Sequence, residues 1–167
     1  MHHVDQLNKE IHFWVEKLDL LPHPEGGYYR ETYRSEESIQ NGKRQLLTVI
    51  YFLLTSENPS RFHRIKSDEH WFYHAGSPLT VHVLHHQKHE KIRIGNDLNA
   101  GQTPHAVVPR NVIFGSSVET NEGEKFGYSL VSCAVAPGFD FEDFELLDRE
   151  TLLNDFPKHE EIILKLT

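Results

Sequence analysis

A histidine and a carboxylate in the middle of the chain have the types and spacing to do chemistry. His63 lies in one segment of strand-forming residues, and Glu69 lies at the start of the next. On facing strands such a pair can transfer protons, or it can contribute two ligands to a metal ion. It can equally be a buried, mutually satisfied pair that joins two strands, because a buried charge needs a partner. Both interpretations stay open on the spacing alone.

Strand alternation extends this candidate site along the second segment. Trp71 and Tyr73 share a face with Glu69, whereas His70 and His74 share the opposite face. Tyr73 is therefore a candidate proton donor, and Trp71 is a candidate wall of an aromatic pocket, although ring packing in the core is the simpler interpretation.

A second group of histidines follows further along the chain. The strand that carries His82 is expected to end near Leu84, which leaves the remainder of the group in a polar turn: His85, His86 and His89. We expect the four histidines of this group to form a solvated cluster without the ordered geometry that a metal site requires.

Composition narrows the class of protein. The 167 residues carry 17 Lys and Arg against 25 Asp and Glu, a net charge of −8, together with 13 His and one Cys. The acidic balance argues against nucleic acid as a partner, and no apolar run is long enough to cross a bilayer. Cys133 alone cannot form a disulfide framework or a zinc ribbon. With no recognisable signal peptide, a cytoplasmic location is expected.

The elements that must position these residues are mostly short strands. A helical stripe of apolar residues lies within 1–20, and helices are predicted at 149–155, capped by Asp148, and at 157–165. Strand-like segments separated by turn signals predict an all-β sandwich or barrel between them: 28–34, 46–54, 61–66, 69–75, 79–84, 91–94, 105–109, 112–118 and 126–135. We therefore expect one domain over 1–167, with a barrel over 25–146 and a helical tail over 147–167.

The segment from Ser60 to Gly76 resembles the first cupin motif, G-x5-H-x-H-x3-4-E-x6-G. His63 matches the first histidine, Glu69 the glutamate and Gly76 the last glycine, whereas Ile65 takes the place of the second histidine. The second motif resembles 103–118, with Phe114 at its histidine position. Two of the four usual metal-ligand positions are therefore apolar, and no metal cofactor is expected; a divalent ion, if one were bound, would use His63 and Glu69.

A closer resemblance covers nearly the whole chain. The stretches 21–35 (LPHPEGGYYRETYRS) and 130–144 (LVSCAVAPGFDFEDF) are similar to the opening and closing signatures of a small cupin family, sometimes called cupin-5. The resemblance implies a double-stranded β-helix, or jelly-roll barrel, and a homodimer. Members of that family are often described as predicted sugar epimerases. This chain departs from the family at Ile113-Phe114, where Trp-Gln is usual.

What the resemblance implies for function is a site for a small polar metabolite such as a sugar derivative. His63 would be the base, with its tautomer fixed by Glu69 or Asp68, and Tyr73 or Tyr29 would be the acid. The stretch 27–31 is weakly similar to a substrate-binding stretch of sugar-nucleotide epimerases. Candidate substrate-binding residues are Tyr29, Arg30, Glu31, Trp71 and Phe114, with Arg30 and Glu31 as alternatives because the inward face of 28–34 is open. A non-catalytic binding module is the alternative, and a metal-dependent dioxygenase or isomerase ranks third.

Overall fold

Two antiparallel sheets form the body of the protein in a computed structural model, which describes residues 2–120 and 127–167. The first sheet has the order β1 (Leu21–Pro22), β2 (Tyr28–Arg34), β5 (Thr48–Thr55), β12 (Tyr128–Ala136), β7 (Asp68–Gly76) and β10 (His105–Val108). The second has the order β13 (Glu145–Leu146), β6 (Ser60–Arg64), β11 (Ile113–Val118), β8 (Leu79–His85) and β9 (Lys88–Ile94). A small hairpin of β3 (Ser38–Ile39) and β4 (Arg44–Gln45) stands apart from both.

The inner faces of the two sheets enclose the main core. Trp71, Phe52 and Phe114 are its largest members, and each is about 1% exposed. Strand alternation explains this packing, because every second side chain of β5, β7, β8 and β11 points between the sheets. The prediction of a mainly β double-stranded β-helix with an N-terminal helix and short C-terminal helices is confirmed.

Helices cover the outer faces of the two sheets. Helix α1 (His2–Lys17) packs its apolar stripe on Leu53, Tyr128 and Leu130 of the first sheet. Among the described residues, no helix is long and apolar enough to cross a membrane. The N-terminal helix and the strand 28–34 were both predicted correctly. The predicted strand 126–135 begins at Tyr128 among the described residues, and position 126 lies outside them.

The C-terminal segment forms a layer on the outer face of the second sheet. It comprises α2 (Arg149–Asp155), whose N-cap is Asp148 as predicted, a 3₁₀ turn at Pro157–His159, and α3 (Glu160–Lys165). The predicted helix 157–165 is therefore α-helical only over its second part. Leu152, Ile163 and Leu166 pack with Phe62 and Leu84, so the tail closes a second apolar core.

This layer corrects the prediction of a solvated histidine turn. His82 is only 6% exposed and its ring nitrogens face His89 and Ser117. The prediction was wrong for His82 because it assigned no partner to the outer face of β8, which the C-terminal helices cover. His85 and His86 at the hairpin tip are exposed, as predicted.

Candidate functional site

A cavity of about 450 Å³ opens between the two sheets, and charged side chains line much of it. They come from the loop before β2, from β2 itself, from β6 and β7, and from a bordering segment, 139–144, after β12. The histidine and acidic residues of the lining are His23, Glu25, Glu31, His63, Glu69 and Asp140. Its size is within the range of small-molecule sites.

His63 and Glu25 form a buried pair at the floor of this cavity. The Nε2 atom of His63 lies 3.0 Å from the Oε2 atom of Glu25, and the two residues are 2% and 7% exposed. Ser60 donates a hydrogen bond to the other carboxylate oxygen of Glu25 at 3.0 Å. The Nδ1 atom of His63 lies 2.7 Å from the carbonyl oxygen of Arg61. The strand β6 and the loop 23–27 thus hold both residues.

The partners of His63 determine its protonation state. A carbonyl oxygen can only accept, and an ionised carboxylate can only accept, so both ring nitrogens must donate. Burial alone would lower the pKa of His63, but the carboxylate of Glu25 outweighs it and the pKa is raised. Burial would conversely raise the pKa of Glu25, but His63 and then His23 and Ser60 lower it. The pair rests as an imidazolium and a carboxylate.

Glu69 lies in the same cavity, but its pKa is shifted in the direction opposite to that of Glu25. It is 8% exposed, and burial followed by the negative charge of Glu25 raises its pKa to about 7, against a smaller opposing effect of His63. Two buried carboxyls close to one cation do not ionise equally. Glu69 is therefore the group of the cavity that exchanges a proton near neutral pH.

His23 supplies a neutral ring beside this pair. The backbone N–H of Glu25 donates to its Nδ1 atom at 3.1 Å, so a neutral ring carries its proton on Nε2. Burial lowers the pKa of His23, against an opposing effect of Glu25. Aromatic rings surround it, with Tyr29 at 4.6 Å and Phe141 at 6.0 Å between ring centroids.

A β-bulge decides which side chains of β2 face the cavity. Glu31 pairs with Ile50 and Tyr33 with Val49, so Thr32 is the extra residue. A bulge re-aims the side chains that follow it. Tyr29 and Glu31 line the cavity together with Arg34, whose guanidinium donates to both carboxylate oxygens of Glu31 at 2.7 and 2.8 Å. Arg30 lies on the exposed face, which resolves the alternative between Arg30 and Glu31.

Two arginines hold the bordering segment 139–144 against the cavity. Arg34 donates to the carbonyl oxygen of Phe139 at 3.1 Å. Arg44 of β4 donates to the two carboxylate oxygens of Asp143 at 2.6 and 2.7 Å. The hydroxyl of Thr48 accepts from the backbone N–H of Phe139 at 2.9 Å. These contacts fix one wall of the site from outside the barrel.

Besides Arg30, three predicted site residues do not line the cavity. Tyr73 donates its hydroxyl proton to the carbonyl oxygen of Gly76 at 2.6 Å, near the far end of β7. Trp71 is core, with its ring centroid 6.4 Å from that of Phe114. Phe114 lies behind His63, with ring centroids 4.2 Å apart. The structure brings together the predicted residues His63, Glu69, Tyr29 and Glu31.

Sequence reasoning missed His23 and Glu25 as site residues. Both lie in an irregular loop, where no periodicity indicates which way a side chain points. The loop is set by Gly26, whose φ of +113° favours glycine and whose missing Cβ leaves room for the backbone oxygen of Pro59. The signal available in the sequence was the acidic residue directly before two glycines.

The residues present do not fit a metal centre built on the usual cupin positions. Ile65 and Phe114 are 4% and 1% exposed and offer no ligand atom. The Nε2 atom of His63 already faces Glu25. Among the described residues, no group of three His, Cys, Asp or Glu side chains is arranged to hold a metal ion. We therefore derive no step through a metal.

Comparisons with known proteins place similarity along nearly the whole chain. Residues 12–147 match the model of a family described as Cupin superfamily (DUF985). An uncharacterized protein of Saccharomyces cerevisiae is 33% identical over an alignment of 150 residues, and the match covers 81% of this chain and 74% of that protein.

Solved structures agree with this match. A hypothetical protein from Leishmania major is 42% identical with a TM-score of 0.86, over 93% of this chain and 97% of that chain. A Shewanella oneidensis protein is also 42% identical with a TM-score of 0.86, over 92% and 94%. A Streptomyces protein solved with uridine is 15% identical with a TM-score of 0.50, over 77% of this chain and 83% of that one, a similarity that concerns the fold alone.

Proposed function

The chain belongs to the Cupin superfamily (DUF985) family, and on that premise we propose that its barrel binds a small polar metabolite and isomerises or epimerises it by proton transfer. The substrate class is a sugar derivative with a carbonyl group next to the carbon that loses its proton. Membership in the family supports the barrel site but leaves the chemistry to be argued from the residues of the cavity.

One observation carries the proposal: two buried carboxyls of one cavity have pKa values displaced in opposite directions. The pKa of Glu25 is lowered, mainly by His63 against the effect of burial, and that of Glu69 is raised to about 7, first by burial. Environments that separate the pKa values of neighbouring groups assign them acid and base roles. A catalytic base is most effective when its pKa lies near the working pH.

These protonation states assign the acid and base roles differently from the sequence prediction. The pKa of His63 is raised, mainly because the carboxylate of Glu25 outweighs the effect of burial, so the proton acceptor in our proposal is Glu69. The Glu69 carboxylate takes the proton from the substrate carbon, and the C–H electron pair moves into an enolate. The imidazolium of His63 donates to the carbonyl oxygen the Nε2 proton that it directs at Glu25 at rest, which leaves a neutral His63 beside the Glu25 carboxylate. Reversal of both transfers at the other face or the adjacent carbon completes the reaction.

Polar groups at the cavity rim support a hydroxyl-bearing ligand. Glu31 and Arg34 form an ion pair there with side chains 34% and 41% exposed, so both retain hydrogen-bonding capacity toward a ligand. Tyr29 and Phe141 offer ring faces beside them, and sugars commonly pack on such faces through their C–H groups. Predicted roles for Tyr29 and Glu31 in substrate binding are kept in this proposal.

Ligand binding without chemistry is the second candidate. The observation that favours it is the saturation of the His63–Glu25 pair, in which Arg61, Ser60 and the two residues themselves fill the hydrogen-bonding positions described above. In this alternative the pair stabilises the cavity wall, and Glu69 only binds a ligand hydroxyl.

Solvent exchange separates the two candidates. A panel of aldoses, ketoses and sugar phosphates is first ranked by the melting temperature of the protein, since a ligand of the folded state must raise it. The stabilising compounds are then incubated in D₂O, and loss of a carbon-bound proton is followed by ¹H NMR. Isomerase chemistry predicts exchange that falls at least about 100-fold in Glu69→Gln, the usual scale of a general base. Exposed Glu57→Gln is the matched control.

Two other results of these experiments would contradict the proposal, each in a different way. A compound that raises the melting temperature but exchanges no proton in the wild-type protein would establish the binding module. Exchange that persists in Glu69→Gln and falls in His63→Gln would return the base role to His63.

A further inference from the structure

A second cavity, of about 300 Å³, lies on the opposite side of the second sheet from the candidate site. Its floor is the outer face of the β8–β9 hairpin, and its wall is the C-terminal segment from the 3₁₀ turn through α3. Basic side chains dominate its lining: His82, His89, Lys91, Lys158, His159 and Lys165. Glu161 is the one acidic residue among the lining residues.

The lysines of this cavity have no carboxylate partners within residues 2–120 and 127–167. The ion pairs of lysine in this part of the chain are Lys17–Glu16 at 3.5 Å and Lys66–Asp143 at 3.5 Å. The nearby carboxylate of Glu119 is already occupied, because Arg93 donates to both of its oxygens at 2.7 and 2.6 Å. Although the protein has a net charge of −8, lysines without carboxylate partners are thus clustered in this one cavity.

A buried histidine lies at the bottom of this cluster, where its contacts fix the position of its ring. His82 is 6% exposed, with Nδ1 at 2.8 Å from Nε2 of His89 and Nε2 at 2.8 Å from Oγ of Ser117. The rings of His82 and His89 stack with centroids 5.1 Å apart, and the ring of His159 lies 5.8 Å from that of His89. His159 is itself fixed, since its Nε2 atom lies 3.0 Å from the carbonyl oxygen of Gln87.

We propose that this cavity binds the phosphate group of a small molecule. Cations reach it from two sides, Lys91 from the sheet and Lys158 and Lys165 from the C-terminal segment. A phosphate carries nearly two negative charges and three acceptor oxygens, which suit several ammonium and imidazole donors at once. Lysine is a common phosphate ligand as a mobile point charge. A single carboxylate would satisfy fewer of these donors.

Mutual repulsion within the cluster supports this assignment. Burial first, and then the positive charges of His89, Lys165 and Lys91, lower the pKa of His82 to about 3, against an opposing effect of Glu119. Burial also lowers the pKa of His89, with Lys91 and His159 acting in the same direction. An anion in the cavity would relieve this repulsion.

Titration calorimetry with inorganic phosphate tests the proposal on the full-length, untagged protein in a low-salt buffer free of sulfate. We expect saturable binding at one site, with ¹H NMR shifts of the His89 and His159 ring protons. In the double variant Lys91→Gln/Lys165→Gln the affinity should fall at least about tenfold, since two charge-assisted hydrogen bonds are removed. Both lysines are exposed, so the variant should fold.

The control is Lys88→Gln/Lys17→Gln, which removes the same net charge outside the cavity. An equal loss of affinity in this control would mean that phosphate responds only to net charge, and the proposal would be wrong. Absence of saturation in the wild-type protein would overturn it as well. Zinc chloride is the second probe: saturable Zn²⁺ binding without phosphate binding, lost in His89→Gln, would replace the anion site by a histidine metal site.

Discussion

Replacing Glu69 by glutamine should stabilise the protein above neutral pH, because the folded state forces this carboxyl to hold its proton. Its pKa rises from an ordinary value of 4.5 to about 7, first through burial and then through Glu25. A group whose pKa is raised on folding contributes its full stabilisation at pH values below its pKa in the unfolded state. That stabilisation is lost as the pH rises through its pKa in the folded state. The loss therefore occurs between pH 4.5 and about 7.

The magnitude follows from this interval. At about 1.4 kcal/mol for each pH unit, the interval from 4.5 to about 7 corresponds to about 3 kcal/mol. Glutamine has nearly the shape of the protonated carboxyl and does not ionise, so it avoids this cost. The free energy of unfolding of Glu69→Gln, relative to the wild-type protein, should thus rise by about 3 kcal/mol between acidic and alkaline solution.

Urea unfolding at a series of pH values measures this difference directly. The exposed residue Glu57 provides the control, since surface substitutions of this type change stability by less than about 0.5 kcal/mol. A difference between Glu69→Gln and the wild-type protein that stays constant with pH would refute the reasoning. It would mean that folding does not raise the pKa of Glu69, and the argument for Glu69 as the proton acceptor would fail.

Three further predictions concern the neighbours of this carboxyl. In a double-mutant cycle of Glu25→Gln and His63→Gln, measured by urea unfolding, the coupling should reach about 3 kcal/mol or more near pH 5.5. The raised pKa of His63 stabilises the folded protein most at pH values below 6.5, the ordinary pKa of histidine, and the lowered pKa of Glu25 stabilises it most above pH 4.5, the ordinary pKa of glutamate. The coupling should therefore shrink at pH values on both sides of this window. A coupling that does not depend on pH would contradict the ion pair. Gly27→Ala should destabilise by more than about 2 kcal/mol, because its φ is +74° and a Cβ would lie 2.8 Å from the Leu53 backbone oxygen, whereas Gly101→Ala, at φ +76° with open space, should cost only about 1 kcal/mol. Equal costs by thermal unfolding would show that crowding at Gly27 is relieved. Arg44→Gln should speed amide hydrogen exchange in the bordering segment 139–144, and unchanged exchange would show that other contacts hold it.

The strand pattern predicted side-chain directions correctly where they depend only on the alternation of successive residues along a strand. The segment 28–34 and the placement of His63 and Glu69 in one cavity follow from that pattern and the family resemblance. It could not separate Arg30 from Glu31, because the inward face of β2 is set by its pairing with β5, in which Glu31 lies opposite Ile50, and it could not show that the bulge at Thr32 turns Arg34 toward the cavity. A bulge arises from the pairing of two strands and leaves little trace in either strand alone.

Tertiary packing accounts for the remaining differences. Glu25 became the partner of His63 because its loop lies against the backbone at Pro59, a contact that no local signal encodes. Tyr73 shares the parity of Glu69 and packs against the main core, but it lies further along β7, beyond the residues that line the cavity. His82 was assigned to solvent because the helices that cover β8 are distant in sequence.

The contrast between the two buried carboxyls bears on why Glu69 is there at all. Glu25 contributes stability through His63 and Ser60, so a structural role explains it fully. Glu69 is equally buried, but the dominant influences on it oppose its ionised form, and we estimate that form to cost about 3 kcal/mol above neutral pH. A glutamine would fill the same place without that cost. A purely structural account of the cavity thus explains the His63–Glu25 pair and leaves Glu69 unexplained, whereas a proton acceptor that titrates near neutral pH requires just such an unfavourable environment.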